Sequence, residues 1–334
     1  MERRKDLDFA KGIGIILMVL GHCYSEGNGG ALKIWFYSFH MPLFFLVSGM
    51  LAQSKERIPF RRFLCKWARS LLLPYFIWGI AAALYLSIMG RRSLDYFLGC
   101  LMQVATLQGL SAMWFLPCLF FAEILFYIGR VLYERNRDLG WGGIVLVSAI
   151  GFFCPPANEY IEIILRSCTG VFFLWLGWLF AKPFSQLRKS YIWVIAFVLH
   201  LILSRLNGQV DMLGRVYGNY VLFCLDALMG TWLTIQLYQL LAAARLERYA
   251  EFATWFGRNS IVLVCTSLYA IDILRLVDYK LFGNILPRLG SAEGILLCTL
   301  ALSIEFVVII VCKKTLWFTF GKSRPDLKSN NVGQ

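Results

Sequence analysis

The chain has 334 residues, 59% of them hydrophobic and 16% charged, and its formal net charge is +13. Soluble globular domains contain about 45–50% apolar and about 25% charged residues, so this composition excludes a soluble domain. The basic residues lie in short clusters between apolar segments, which is typical of a polytopic membrane protein and argues against nucleic acid as a partner.

Ten apolar segments are long enough, or nearly so, to cross a hydrocarbon core of about 30 Å as helices. We predict them at residues 7–24, 34–53, 70–89, 113–133, 142–155, 163–181, 191–204, 217–241, 259–276 and 292–312. The apolar residues 94–110 are predicted to lie along the membrane interface, with an eleventh span as the alternative. The sequence therefore predicts an all-α integral membrane protein of about ten transmembrane helices. One transmembrane domain is expected over residues 1–320, followed by a short polar cytoplasmic tail over residues 321–334.

Lysine and arginine positions predict the orientation of these helices. With the N-terminus in the cytoplasm, 23 Lys and Arg residues fall in cytoplasmic segments and 7 in external connections. Positive charge is retained on the cytoplasmic side, so both termini are predicted to be cytoplasmic. The expected location is the plasma membrane of a bacterial cell. The ten cysteines lie mostly inside apolar segments without a C-x-x-C pair, which predicts small buried side chains and no metal site.

Ionisable side chains inside membrane helices are costly, so those of the first predicted helix are functional candidates. Lys11 and His22 are about three helical turns apart, and Asp8 lies within about 40° of the same stripe. The helical rise places His22 about 21 Å from the cytoplasmic boundary. It places His40, on the second predicted helix, about 9 Å below the outer boundary and therefore at the same level. These depths predict a two-histidine site in the outer half of the membrane.

A structural alternative stays open for each histidine, namely a hydrogen bond between packed helices. The matched depth of His22 and His40 favours a functional role for that pair. The sequence indicates no partner for His200, which is therefore assigned a structural role. Two further buried acids, Glu123 and Asp226, are predicted either to orient an imidazole or to hold a counter-charge.

The connection before the third predicted helix is the most basic one. Its cations are Lys55, Arg57, Arg61, Arg62, Lys66 and Arg69. Lys66 and Arg69 share one helical face, and Pro74 removes a backbone donor and is expected to bend the helix. A cationic pair at a bent helix entrance suits phosphate binding, although the positive-inside rule alone explains several of these charges. Trp114 is predicted either to pack between helices or to line a sugar site.

Five short motifs together resemble the acyltransferase-3 family and extend over nearly the whole chain. They are Leu7-Asp8-Phe9-Ala10-Lys11-Gly12-Ile13 continuing to Gly21-His22, Phe39-His40-Met41-Pro42-Leu43-Phe44-Phe45 with Ser48-Gly49, Lys66-x-x-Arg69 before Leu73-Pro74-Tyr75, Trp114-Phe115-Leu116, and Phe256-Gly257-Arg258-Asn259-Ser260. Two positions depart from the family's pattern. Lys11 stands where arginine is frequent, and Ser267 stands where relatives often carry a further histidine.

The resemblance implies transfer of an acyl group, usually acetyl from cytoplasmic acetyl-CoA, to a hydroxyl of a cell-envelope or exported glycan. We expect the CoA phosphates to bind Lys66, Arg69 and Arg62, with Lys11 near the entrance. His22 is expected to act as general base or as a nucleophile through an acyl-imidazole. His40 is expected to stabilise the oxyanion or to orient the acceptor.

Two other functions are consistent with the same residues. A transporter or flippase would use intramembrane histidines and acids as a proton relay. A binding or sensory protein would keep the fold without activity. The sequence leaves these alternatives and the oligomeric state open.

Overall fold

The computed structural model describes residues 3–24, 29–53, 55–155, 158–182 and 190–321. The tail predicted after residue 321 and five of the basic residues counted above lie outside these ranges. The helices of the described residues are α1 (Lys5–Cys23), α2 (Gly30–Tyr37), α3 (His40–Gln53), α4 (Phe60–Trp67), α5 (Leu73–Met89), α6 (Leu94–Ala105), α7 (Phe115–Arg135), α8 (Arg137–Phe153), α9 (Glu159–Phe180), α10 (Ser190–Asn207), α11 (Tyr220–Ala243), α12 (Glu247–Arg258), α13 (Ser260–Val277) and α14 (Ser291–Thr315).

The length and composition of these helices confirm the predicted all-α integral membrane fold. Eight described segments are long and apolar enough to cross a membrane: Gly30–Gln53, Phe60–Met89, Ser111–Arg135, Glu159–Phe180, Ser190–Asn207, Tyr220–Ala243, Ser260–Phe282 and Ala292–Thr315. Helix α1 falls short because it carries several charges, and α8 because it has only 17 residues. The total of ten spans therefore stays a prediction. Helix α6 has 12 residues, about 18 Å of helix, which is too short to cross the core.

Contacts between helix ends define the two ends of the bundle. Arg258, at the end of α12, contacts Asp8 near the start of α1, whereas Arg275, near the end of α13, contacts the last carbonyls of α1. We call the end at which α1 begins the basic face, because Arg3, Arg57, Lys66 and Arg258 lie there, and the other end the opposite face. The positive-inside rule predicts that the basic face is cytoplasmic.

Helix α1 lies at the centre of the bundle, where it packs against α2, α3, α11, α12, α13 and α14. Its closest neighbour is α12. A Cβ on Gly12 would lie 1.7 Å from the Ala253 carbonyl oxygen, and one on Gly257 would lie 1.8 Å from the Asp8 carbonyl oxygen. Only glycine permits this backbone approach. Because protein surrounds α1, Asp8 and Lys11 pair with each other at 2.9 Å within the bundle instead of facing lipid.

Two interruptions in the helices shape the site. The second predicted span is broken at Ser38, whose hydroxyl donates to the Trp35 carbonyl oxygen at 2.7 Å. The third contains a π-helical turn, Ala68–Leu72, in which the Leu73 N–H donates to the Ala68 carbonyl oxygen. Pro74 follows immediately and cannot donate to the Ser70 carbonyl oxygen. The distortion expected from Pro74 is therefore present as a π-helical turn.

Candidate active site

A cavity of about 230 Å³ opens toward the opposite face, and we call it the opposite-face cavity. His22 from α1 and His40 from α3 both line it. The matched depths calculated for these two residues thus correspond to one shared cavity. Its other polar and aromatic lining residues are Lys33, Tyr37, Phe44, Trp114, Phe115, Gln209 and Asp211.

The hydrogen bond of His40 defines its tautomer. His40 is only 4% exposed, and its Nδ1 lies 2.8 Å from the Phe36 carbonyl oxygen, one helical turn earlier. A carbonyl oxygen only accepts hydrogen bonds, so Nδ1 carries the proton in the neutral ring. The Nε2 atom of His40 is therefore an acceptor and a base.

His22 is held through its backbone. The Arg275 guanidinium on α13 donates to the carbonyl oxygens of His22 and Cys23, at 3.4 and 3.1 Å. These carbonyls end α1 and have no helical donor of their own, so Arg275 caps the helix. The His22 ring makes no hydrogen bond to another described residue and borders the cavity. Its two nitrogens are consequently available to a bound substrate.

A second cavity, of about 480 Å³, opens at the other end of the bundle, and we call it the basic-face cavity. Four cations line it: Lys55, Arg57, Lys66 and Arg130. Glu123 and Ser48 also line it, and the Ser48 hydroxyl donates a short hydrogen bond to the Glu123 carboxylate. Glu123 thus belongs to this cavity and does not orient either candidate histidine.

The two cavities approach each other along α3 and α7. Phe44 lines the opposite-face cavity and Ser48 the basic-face cavity, only about 6 Å apart along α3. On α7 the corresponding residues are Phe115 and Glu123, about 12 Å apart. The rings of Phe44 and Phe115 pack with centroids 5.4 Å apart. We call this pair the aromatic septum.

The remaining predicted phosphate ligands lie away from the basic-face cavity. The Lys11 ammonium pairs with Asp8 at 2.9 Å, and the Arg258 guanidinium approaches the same carboxylate at 3.3 Å. Arg62 and Arg69 are exposed. Of the four cations predicted to bind CoA, Lys66 alone lines the basic-face cavity.

His200, for which the sequence indicated no partner, has three. Its Nδ1 accepts from the Trp35 indole N–H at 3.1 Å. Its Nε2 lies 3.4 Å from the Ser38 hydroxyl oxygen and 3.8 Å from an Asp226 carboxylate oxygen. Asp226 therefore does face an imidazole, but one that is fully buried and lines neither cavity. This network agrees with the structural role assigned to His200.

Trp114 lines the opposite-face cavity, and the Arg166 guanidinium carbon lies 5.9 Å from the centroid of its ring. The helical periodicity of the sequence did not indicate Tyr37, Gln209 or Asp211 as site residues. It also did not indicate the capping role of Arg275. These residues come from helix ends and from the connection between α10 and α11, and only the fold brings them to the two histidines.

Comparison with known proteins defines the class. A family model described as an acyltransferase domain matches residues 4–311. The chain is 26% identical over 341 residues to nodulation protein NolL of Mesorhizobium japonicum, covering 91% of this chain and 87% of that protein. It is 31% identical over 195 residues to nodulation protein NolL of Sinorhizobium fredii, covering 54% of this chain and 49% of that protein. No solved structure matches the chain significantly.

The helical bundle and the family match together define a multi-pass membrane acyltransferase. The chain belongs to the acyltransferase-3 family, as its motifs indicated. This membership favours the enzymatic function over the transporter and sensory alternatives.

Proposed function

We propose that this acyltransferase moves an acyl group, acetyl in the simplest case, from an acyl-CoA at the basic face to a glycan hydroxyl at the opposite face. The observation that carries the proposal is the end-to-end placement of the two cavities, separated by one turn of α3. If the basic face is cytoplasmic, as its charge predicts, the donor cavity opens to the compartment that contains acyl-CoA.

The basic-face cavity suits the donor. Its four cations outnumber its two carboxylates, Glu56 and Glu123, so it attracts an anion. Lys66, with Lys55, Arg57 and Arg130, would hold the phosphates of CoA. Arg62, Arg69 and Lys11 add positive charge at the same face.

The reach of the donor matches the depth of the basic-face cavity. An extended pantetheine arm is about 15–20 Å long, by the same bond geometry that sets chain reach in proteins. Glu123 lies 12 residues from the end of α7, about 18 Å of helix. The thioester would therefore arrive beside Glu123 and Ser48, about one turn of α3 from Phe44, and Phe44 and Phe115 must move apart for it to reach the histidines.

The opposite-face cavity suits a sugar. Trp114 and Phe115 offer flat apolar surfaces for the faces of a pyranose ring, and Gln209 and Asp211 offer partners for its hydroxyls. His22, without a protein partner among the described residues, would take the proton from the attacking hydroxyl. The Nε2 lone pair of His40 would accept a hydrogen bond from the acceptor and orient it. In this tautomer neutral His40 does not stabilise the oxyanion, one of the two roles expected from the sequence.

A labelled-transfer assay tests the proposal. Purified protein is incubated with radiolabelled acetyl-CoA, with and without a total extract of bacterial envelope glycans, beside the His22→Ala variant. We expect glycan-dependent release of CoA and labelled glycan from the wild type, and neither from the folded variant. Equal turnover by the two proteins would remove His22 from the mechanism. No turnover of acetyl-CoA by well-folded wild type would contradict the acetyl donor.

A further inference from the structure

Tyr37 is the last residue of α2 and shares the opposite-face cavity with both histidines. Its ring centroid is 4.9 Å from that of His40. A Cβ built on Gly21 would lie 3.0 Å from the Tyr37 hydroxyl oxygen, so this hydroxyl rests against α1 at the residue before His22. Tyr37 also lines the opposite-face cavity. Its phenol group is thus placed against the His40 ring and against α1 one residue before His22.

The Tyr37 hydroxyl differs from the hydroxyls of three buried tyrosines in what it bonds. Those of Tyr75, Tyr127 and Tyr217 donate to Val104, Ile58 and Thr169 at 3.1 Å. The Tyr37 hydroxyl makes no hydrogen bond to any other described residue, and Tyr37 lines the cavity. Its proton is therefore available to a substrate.

The mechanism requires such a donor. Acyl transfer passes through a tetrahedral intermediate whose oxyanion needs hydrogen-bond donors placed in advance. His40 does not donate from Nε2, because its ring proton is on Nδ1 and is given to Phe36. His22 is assigned to proton abstraction.

We infer that the Tyr37 hydroxyl donates a hydrogen bond to the thioester carbonyl oxygen and stabilises the oxyanion that forms there. The inference rests on the proposed function. The acceptor oxygen bonds to the thioester carbon while its proton passes to His22, and the carbonyl π electrons move onto the oxygen that Tyr37 binds. The intermediate collapses as the C–S bond breaks, and the CoA sulfur takes the proton back from His22. The products are the ester and free CoA, with Tyr37 and His22 unchanged.

The test compares Tyr37→Phe with Tyr24→Phe. Tyr24 is a matched control, because its buried hydroxyl also makes no hydrogen bond to a described residue and does not line the cavity. CoA release from acetyl-CoA is measured with the envelope-glycan extract, and kcat and KM are separated. Loss of one oxyanion donor is expected to lower kcat by about 100- to 1000-fold in Tyr37→Phe. Its KM for acetyl-CoA and its thermal stability should match those of Tyr24→Phe.

A second measurement separates catalysis from packing. A Cβ on Gly21 would lie 2.7 Å from the Tyr37 ring, so Gly21→Ala should displace the phenol and lower kcat. In a Tyr37→Phe background the same change should add little, because the hydroxyl that it displaces is already absent. Strictly additive losses would assign Gly21 an independent structural role and count against Tyr37.

The possible results separate the two proposals. The role assigned to Tyr37 is supported if wild type and Tyr24→Phe are active and Tyr37→Phe is nearly inactive. All three equally active, or a Tyr37→Phe defect confined to KM, overturns the role of Tyr37 and leaves the acyltransferase proposal intact. Wild type without turnover contradicts the proposed function and the role of Tyr37 with it.

Discussion

The basic-face cavity is lined by α3, α4, α7 and the short segment between α3 and α4, and its cations come from one cluster in the sequence and from α7. The opposite-face cavity is assembled from the ends of several helices and from the connection around Asp211. The first has an excess of positive charge. The second combines two histidines with one cation, Lys33, and one acid, Asp211. Charge suits the first cavity to an anionic donor, and near-neutral polar groups suit the second to proton transfer and sugar recognition.

Among the variants that test this difference between the cavities, His40→Asn is expected to have the largest effect on kcat. The asparagine amide can still donate to Phe36 from the position of Nδ1, but it has no acceptor at the position of Nε2. Loss of a positioned acceptor is expected to lower kcat by about 100-fold. The measurement is acetyl transfer per folded molecule, with the thermal midpoint recorded for each protein.

His200→Asn is the matched control for that variant. Its amide oxygen can still accept from Trp35, and its site lines neither cavity. We expect lower stability and unchanged kcat. If His200→Asn were as inactive as His40→Asn, loss of activity would not depend on whether the histidine lines the opposite-face cavity.

A smaller effect is expected at the basic face. Lys66→Ala removes one charged phosphate ligand, and a hydrogen bond to a charged group contributes about 1.5–3 kcal/mol. The KM for acetyl-CoA should therefore rise at least about tenfold, with kcat nearly unchanged. Steady-state kinetics against acetyl-CoA concentration measures both.

Arg62→Ala serves as the control for Lys66→Ala, since both side chains are exposed on α4 but only Lys66 lines the cavity. Its effect on KM should be clearly smaller. A larger effect for Arg62→Ala would place the phosphates on the outer surface of α4 and break the assignment of the basic-face cavity.

The smallest effect is expected from Phe44→Leu, which thins the aromatic septum without removing an apolar side chain. Water from the opposite-face cavity should then reach the thioester more readily. The ratio of acetyl-CoA hydrolysis to glycan acetylation should rise several-fold, as measured by free acetate against labelled glycan. An unchanged ratio would show that Phe44 does not separate the cavities.

The sequence predicted the features of this protein that are local or periodic. Apolar segments located the helices, and Pro74 marked the distortion now seen at Ala68–Leu72. The depths calculated along two neighbouring helices placed His22 and His40 at the same level in the membrane. These inferences succeed because helix length, proline chemistry and helical rise act over short stretches of chain.

Other features depend on contacts between distant parts of the chain. The break at Ser38 lies inside a predicted span, and mean hydropathy over that span gave no sign of it. Tyr37 acquires a candidate role only because this break places it against Gly21. Glu123 and Asp226 were both recognised as buried acids, but one contacts Ser48 and the other faces His200. Partner identity of this kind is set by tertiary packing.

The central claim is that the acyl group passes from one face of the bundle to the other, and a sidedness measurement tests it most directly. Purified protein is reconstituted into sealed liposomes with radiolabelled acetyl-CoA trapped inside and glycan extract supplied outside. A parallel sample has both supplied outside only. We predict labelled glycan in the first arrangement and none in the second. Only in the first arrangement do acetyl-CoA and glycan lie on opposite sides of the bilayer, where each can enter its own cavity. Equal labelling when both substrates are outside would contradict transfer between the two cavities.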